Sequence, residues 1–444
     1  MIEKTPLDEW IRKRIAPKMP VLTRERLTTY QLEKIIENVS CVKKHSIFYR
    51  DFLSGVHTCD IKSYKDICRI PFTTSKDIKK YNLQMSCVSQ NEISRIVTLD
   101  TSGTTGLPKR IYFTEEDQEL TTDFFQVGMS TFTKPGQKVL ILMPGARPGS
   151  IGDLLQKALN RMNVSSVVYG IVDDPEIVER IIIDEKVNGI VGIPQQIFAL
   201  SMSKKAPDIK AMHRLENVLL STDYVSNSVV KRIEKNWGCN VYEHYGMTET
   251  GLGGGVFCKA RKGYHLREAD MLFEIIDPES GAVVKDGEFG EVVFTTLTRK
   301  GMPLIRYRTG DISRFINNSC ECGTVLRSMD KIQYRINSSV KLTDEYILTM
   351  SKLEEILFSI EGVLDFDAIL TLKYNKNHLM LYVNMISFTR ETKEKIIKNL
   401  RTSELGCLIS KGELIISIEE MLNKEMDIKA IKKRKITDKR GGKS

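Results

Sequence analysis

Val139-Leu-Ile-Leu-Met143, Ser165-Ser-Val-Val-Tyr169 and Gly189-Ile-Val-Gly-Ile193 are three short apolar runs, and the segments between them have helical spacing. Short runs rich in apolar residues, separated by amphipathic stretches, read as strands alternating with helices. Gly149–Met162, Asp174–Glu185, Gln195–Ser203 and Asn227–Trp237 are the predicted helices. Val218–Ser221 and Asn240–Glu243 are two further strands, and Ile96–Leu99 is strand-like upstream. Repeated strand–helix–strand order predicts an α/β fold with a parallel sheet and helices on its faces. Ligands of such sheets bind in the loops that follow the carboxyl ends of the strands.

Outward from this core the texture changes twice. The first ninety residues are predicted helical, with Leu32, Ile35, Ile36 and Val39 on one face. From Phe257 to Phe315 no helical pattern remains. Phe273–Ile276 and Glu291–Thr296 read as strands separated by the turns Asp286-Gly287 and Gly301-Met-Pro303. Beyond about residue 329 the pattern is mixed. Helices are expected at Lys352–Ile360 and Thr389–Thr402, and strands at Asp367–Leu372, Met380–Met385 and Glu413–Ile418. The expected organisation is a large N-terminal lobe, residues 1–328, with a β-rich part near 256–325, then a small, mobile α+β domain over 329–444.

Composition bounds the functional classes. With 444 residues, 41% hydrophobic and 28% charged, the chain can bury a sizeable core. No apolar stretch of about 18 residues suggests a membrane span. Met1-Ile-Glu-Lys-Thr-Pro6 lacks a secretory pattern, so a soluble cytoplasmic protein is expected. Of the net charge of +9, +7 lies between Lys429 and Ser444. A basic tail of this kind reads first as a solvated end, and a nucleic-acid partner is not expected. Nine cysteines, an odd number without a signal, exclude a disulfide framework as the organising device.

Three motifs carry chemistry. Thr101-Ser102-Gly103-Thr104-Thr105-Gly106-Leu107-Pro108-Lys109 follows the strand-like Ile96–Leu99. Its glycines let backbone N–H groups converge on an anion, four hydroxyls can donate to phosphate oxygens, and Lys109 adds charge. It lacks the Gly-Lys-Ser/Thr of an ordinary P-loop. Tyr242-Glu-His-Tyr-Gly-Met-Thr-Glu249 offers a flat apolar face in Tyr245 and a hard oxygen ligand for magnesium in Glu249. Pro303-Leu-Ile-Arg-Tyr-Arg-Thr-Gly-Asp311 places a carboxylate after a glycine turn, where ribose hydroxyls can donate to it. Arg306 and Arg308 are able to fork anions.

These three motifs, in this order, resemble the signature elements of the adenylate-forming superfamily of acyl-CoA synthetases, adenylation domains and luciferases. The likeness to the phenylacetate–CoA ligase and coenzyme F390 synthetase branch begins at Thr5-Pro-Leu-Asp-Glu-Trp10. It continues through His45-Ser-Ile-Phe-Tyr49 and Gly301-Met-Pro-Leu-Ile-Arg-Tyr-Arg308. The resemblance implies a two-step ligase that uses ATP and Mg2+: a small carboxylic acid, aromatic acids among the candidates, becomes an acyl-adenylate, and a thiol, usually that of coenzyme A, captures the acyl group. It assigns the β- and γ-phosphates to Thr101, Ser102, Gly103, Thr104, Thr105, Gly106 and Lys109. Tyr245 falls to adenine, Glu249 to magnesium and Asp311 to the ribose, and Gly246, Thr248 and Arg308 are also expected to contact the nucleotide. Asp223 occupies the place where relatives contact adenine. A C-terminal lysine that contacts the adenylate aligns with Lys432, and Lys429, Lys433 and Lys435 compete for that role. The usual acidic pair at the hinge is replaced by Asp330-Lys331-Ile332-Gln333-Tyr334-Arg335.

Cys258, His265, Cys320 and Cys322 stand apart from the other cysteines. Three thiols and one imidazole are a suitable tetrahedral set for zinc, and all four positions would be filled by protein, which makes the role structural. The C-x6-H and C-x-C-G pieces also resemble a pattern of the phenylacetate–CoA ligase branch. Rival readings are transfer to a carrier-protein thiol or an amine, and a nucleotide-binding interaction module without turnover. The identity of the acid and the oligomeric state are not written in the sequence.

Overall fold

A computed structural model of the chain describes residues 2–99, 108–421 and 434–441. Residues 101–106 of the phosphate-loop motif, and Lys432, lie outside the described residues. The fold is α/β, and it divides into two compact units. One comprises residues 1–170 and 242–332, the other 171–241 and 333–444.

The first unit begins with helices. Arg24–His45 buries Leu27, Gln31, Ile35, Asn38, Val39 and Val42, a stripe at 3.6-residue spacing, and Thr23 caps its N-terminus. Lys138–Leu142 and Ser165–Val168 pair in parallel, and Val139 to Leu142 are wholly buried, the apolar run of a strand covered on both faces. The helix Ile151–Arg161 joins them and turns Leu154, Leu155, Ala158 and Leu159 inward. Ile96–Leu99 departs from the expected alternation. It lies within the strand Arg95–Leu99, which forms an antiparallel hairpin with Lys109–Phe113. A new helix, Glu115–Met129, follows, closed by a capping box between Thr114 and Asp117. No α-helix interrupts residues 257–315. There Met271–Ile276, Gly290–Thr296 and Tyr307–Ser313 form an antiparallel meander. Asn240–Tyr245, Gly255–Phe257, Tyr264–Leu266 and Ser328–Met329 run as successive antiparallel neighbours.

The second unit repeats the parallel logic. Gly189–Gly192 pairs in parallel with Asn217–Leu220. The helix Pro175–Asp184 starts on an Asp174 side chain that accepts from two backbone N–H groups, and Asn227–Trp237 ends on Gly238 in the left-handed region. Its C-terminal part holds a separate four-stranded sheet, ordered Leu414–Glu420, Lys376–Met385, Val363–Lys373, Ile436–Asp438. Arg434 anchors the chain just ahead of the last strand, 2.9 Å from Asp365 and 3.3 Å from Glu354, with its guanidinium over the Phe358 ring. Among the described residues no helix is long and apolar enough to cross a membrane.

Candidate functional site

The first unit gathers most of the residues singled out in the sequence. Asn240–Tyr245 carries Tyr245 to its end, two residues beyond the strand expected from the sequence, and the chain then turns through Gly246 into the short 3-10 helix Thr248–Thr250. A Cβ on Gly246 would lie 2.4 Å from the Leu252 carbonyl oxygen, so only glycine fits the turn. The Gly251 N–H closes the helix on the Thr248 carbonyl at 3.0 Å. Glu249 is thereby presented on a rigid turn, nearly buried at 3% exposure.

Three side chains converge on Glu249. Lys109, the first residue of the strand Lys109–Phe113, forms an ion pair with Oε1. The Tyr307 hydroxyl donates to the same oxygen at 3.0 Å. Arg299 donates to the backbone carbonyl of Glu249 at 2.6 Å while its guanidinium lies over the Phe113 ring. Burial pulls the Arg299 pKa down to about 10, which leaves it charged at neutral pH. Among the described residues, no hydrogen bond reaches Oε2 of Glu249.

Asp311 is positioned by a defect in the meander. The register between Gly290–Thr296 and Tyr307–Ser313 slips between Glu291 and Val293, and Gly310 takes φ +76° within the resulting bulge. Thr309 donates to the Val292 carbonyl, and the Gly310 N–H donates to Glu291. A bulge of this kind re-aims a side chain. Here Asp311 accepts from the Tyr245 hydroxyl at 3.1 Å, which joins the second motif to the third.

The two arginines of the third motif have partners inside the fold. Arg306 is buried, forks Glu274, donates to the carbonyls of Cys68 and Ile70, and lies under Phe72. Arg308 pairs with Glu291 and reaches the Pro278 carbonyl. Asp223 belongs to the second unit, where it accepts from Gln195 and the Tyr224 N–H. His244 sits between Phe124 and Phe125, with ring centroids 6.1 Å away on each side. Burial lowers its pKa to about 4, so the imidazole is neutral. Tyr307 and Arg299 were not foreseen as site residues. Each is an ordinary member of a motif or turn until the fold brings it to Glu249.

The Cys258, His265, Cys320 and Cys322 donor atoms lie within 4.8 Å of one another. The Cys258 and Cys320 sulfurs are 3.6 Å apart, and the Cys322 sulfur is 3.4 Å from His265 Nε2. Four donors about 2.0–2.3 Å from a central zinc would be separated by roughly 3.3–3.8 Å, so the set fits that ion. His265 Nδ1 lies 3.1 Å from the Ser328 hydroxyl, which can fix the ring so that Nε2 faces the cluster. The Ala260 and Cys322 N–H groups donate to the Cys258 and Cys320 sulfurs, as suits thiolates.

Known proteins resemble this chain in sequence and in fold. The AMP-binding enzyme family matches residues 73–297. A phenylacetate-coenzyme A ligase of Thermus thermophilus is 28% identical over 321 residues, covering 69% of this chain and 70% of that protein. One from Escherichia coli K12 is 26% identical and covers 80% of each. Among solved structures, 2-hydroxyisobutyryl-CoA ligase in its postadenylation state superposes with a TM-score of 0.80 at 18% identity, over 95% of this chain and 91% of that one. The chain therefore belongs to the AMP-binding enzyme family, as an adenylate-forming enzyme of the acid–thiol ligase type on the phenylacetate–CoA ligase-like branch.

Proposed function

We propose that this enzyme activates a small carboxylic acid with ATP and passes the acyl group to coenzyme A. The observation that carries the reading is the convergence of Lys109, Glu249, Tyr245 and Asp311, from three separate motifs, within one unit.

In the first step a carboxylate oxygen attacks the α-phosphorus of ATP. A new P–O bond forms, the bond to the β-phosphate oxygen breaks, and pyrophosphate leaves. Such displacements need positioning and neutralisation of oxygen charge more than covalent help. Residues 101–106 and Lys109 are the proposed β- and γ-phosphate cradle, and Lys109 exchanges Glu249 for phosphate when nucleotide arrives. Glu249 is the proposed ligand of magnesium, a hard cation that takes oxygen donors and neutralises phosphate charge when bound. Tyr245, flanked by Gly246 and Thr248, backs the adenine. Asp311 accepts from the ribose hydroxyls, with Arg308 holding the bulge beside it through Glu291. Lys432 is the proposed tail lysine at the adenylate. In the second step the thiolate attacks the acyl carbon and AMP leaves with the electrons of the acyl–oxygen bond.

Coenzyme A is the proposed acceptor because the curated relatives are named as coenzyme A ligases. Cys258, His265, Cys320 and Cys322 are the proposed zinc ligands. With no position left for water or substrate, that ion would stabilise the fold and take no part in acyl transfer. The test is pyrophosphate exchange over a panel of aryl and short-chain acids, followed by mass analysis of products formed with coenzyme A, a carrier protein or an amine. Acid-dependent exchange and a coenzyme A thioester are expected. Exchange with an amide or carrier-bound product would replace the acceptor, and no exchange with any acid would count against adenylation.

A further inference from the structure

The geometry points to Tyr307 and Arg299 as positioning residues that hold Glu249 from two sides and present its Oε2 to the metal of a metal–nucleotide complex. The inference rests on the reading of Glu249 as a magnesium ligand and adds how that ligand is made single-sided. A carboxylate on a loop is free to rotate and to bind a cation through either oxygen or both. Here the Tyr307 hydroxyl donates to Oε1 at 3.0 Å, and Lys109 occupies the same oxygen, so rotation about the last side-chain bond is opposed. The backbone is pinned as well, since Arg299 donates to the Glu249 carbonyl at 2.6 Å.

Both supports are rigid. Tyr307 is 2% exposed, bridges to Thr73, and packs its ring 5.5 Å from Phe294. The N–H of Arg308 beside it donates to the Thr73 carbonyl at 2.9 Å. Arg299 is 9% exposed and sandwiched between the Phe113 ring and the turn at Gly251, where a Cβ would meet its guanidinium at 3.0 Å. The next residues are fixed too, since the Lys300 and Gly301 N–H groups both donate to Asp117 at 2.8 Å. Lys109 must leave Oε1 to reach phosphate, whereas Tyr307, being neutral and part of a strand, stays. The hydroxyl is therefore the partner that keeps Glu249 oriented once nucleotide is bound. Partners that orient a metal ligand typically change metal affinity ten- to a hundred-fold when removed.

The test measures binding of the non-hydrolysable ATP analogue AMPPCP by titration calorimetry with and without Mg2+, which needs no knowledge of the acid. The ratio of the two dissociation constants is the metal's contribution. Tyr307→Phe keeps the ring and removes the donor. It is expected to shrink that ratio about ten-fold, leave metal-free binding unchanged, and add nothing in a Glu249→Gln background. Arg299→Lys, which loses the guanidinium donor on the carbonyl, reaches the same readout by an independent route if the tyrosine variant does not fold; melting temperature reports folding for both. An unchanged ratio in the folded variants, with a reduced one in Glu249→Gln, overturns the positioning role. An unchanged ratio in Glu249→Gln itself overturns the magnesium assignment, and the positioning role with it.

Discussion

Two clusters in the same unit, each proposed above to hold a cation, differ in their donors. At Cys258, His265, Cys320 and Cys322 three soft thiols and one imidazole, from three stretches of the chain, lie within 4.8 Å of one another and would fill all four positions of a tetrahedral ion. Around Glu249, the proposed magnesium ligand, a single carboxylate is propped by Lys109, Tyr307 and Arg299, and the rest of a bound ion's coordination would come from phosphate and water. The first arrangement suits an ion that is bound once and kept. The second suits an ion that arrives and departs with nucleotide at every turnover. On these proposed assignments donor chemistry and donor count, more than burial, separate a stabilising metal site from a working one, because both clusters are largely buried.

Breaking the closed cluster should have the largest effect. Structural zinc sites contribute many kcal/mol to folding. Cys322→Ser is therefore expected to lower the melting temperature by more than about ten degrees, and elemental analysis of the unmodified protein should give about one zinc per chain. Fully folded, metal-free protein would contradict the assignment. Glu249→Gln comes next: pyrophosphate exchange should fall about a hundred- to a thousand-fold, the scale of losing an electrostatic stabiliser, with the melting temperature unchanged. Equal losses of stability in the two variants would erase the contrast between the clusters. Asp311→Asn should raise the KM for ATP by about ten-fold or more, since hydrogen bonds to a charged group contribute roughly 1.5–3 kcal/mol. If kcat alone fell, the ribose assignment would be wrong.

A pH effect concerns the strand that leads to both clusters. His244 lies on Asn240–Tyr245, which leads to Glu249, and pairs with Val256 on the strand that leads to Cys258. Burial holds its folded pKa near 4 against an ordinary value of 6.5. The unfolded chain therefore takes up the proton first. The resulting stability is complete above about pH 6.5 and is lost as pH falls toward 4, by up to roughly 3 kcal/mol and less to the extent that water reaches the ring. His244→Gln should flatten this part of the melting temperature–pH curve; an unaltered curve would show that other groups set it.

Periodicity made much of the architecture legible. The runs at Val139–Met143 and Gly189–Ile193 are apolar because both faces of those strands are covered, so the sequence carries the signal directly, whereas Ser165–Val168 is only half-buried and opens with two serines. Tyr307–Ser313 was not legible. Its Arg-Thr-Gly-Asp reads as a turn, and only pairing with Gly290–Thr296 and the bulge at Gly310 make it a strand. Lys109–Phe113 begins with two cations and is held by its hairpin partner. Within the site, Glu249, Asp311 and the Cys/His set could be nominated from chemical type together with the resemblance to the family, not from spacing alone. Tyr307 and Arg299 could not, because a tyrosine 58 positions from its partner and an arginine after Leu297-Thr298 carry no local mark of what they will touch.

The Tyr49 hydroxyl accepts from the Ile305 N–H and donates to the Pro303 carbonyl, and Thr73 donates to the Ile305 carbonyl. Asn38 reaches the Thr296 carbonyl, so the helical prelude is wired to the segment that delivers Tyr307 to its strand. A shortened protein starting at residue 73 would retain every group proposed above to face nucleotide yet lose the Tyr49 and Asn38 struts behind them. The smallest portion of this chain worth expressing as a working catalyst is thus set by its scaffolding, well upstream of its first reactive motif.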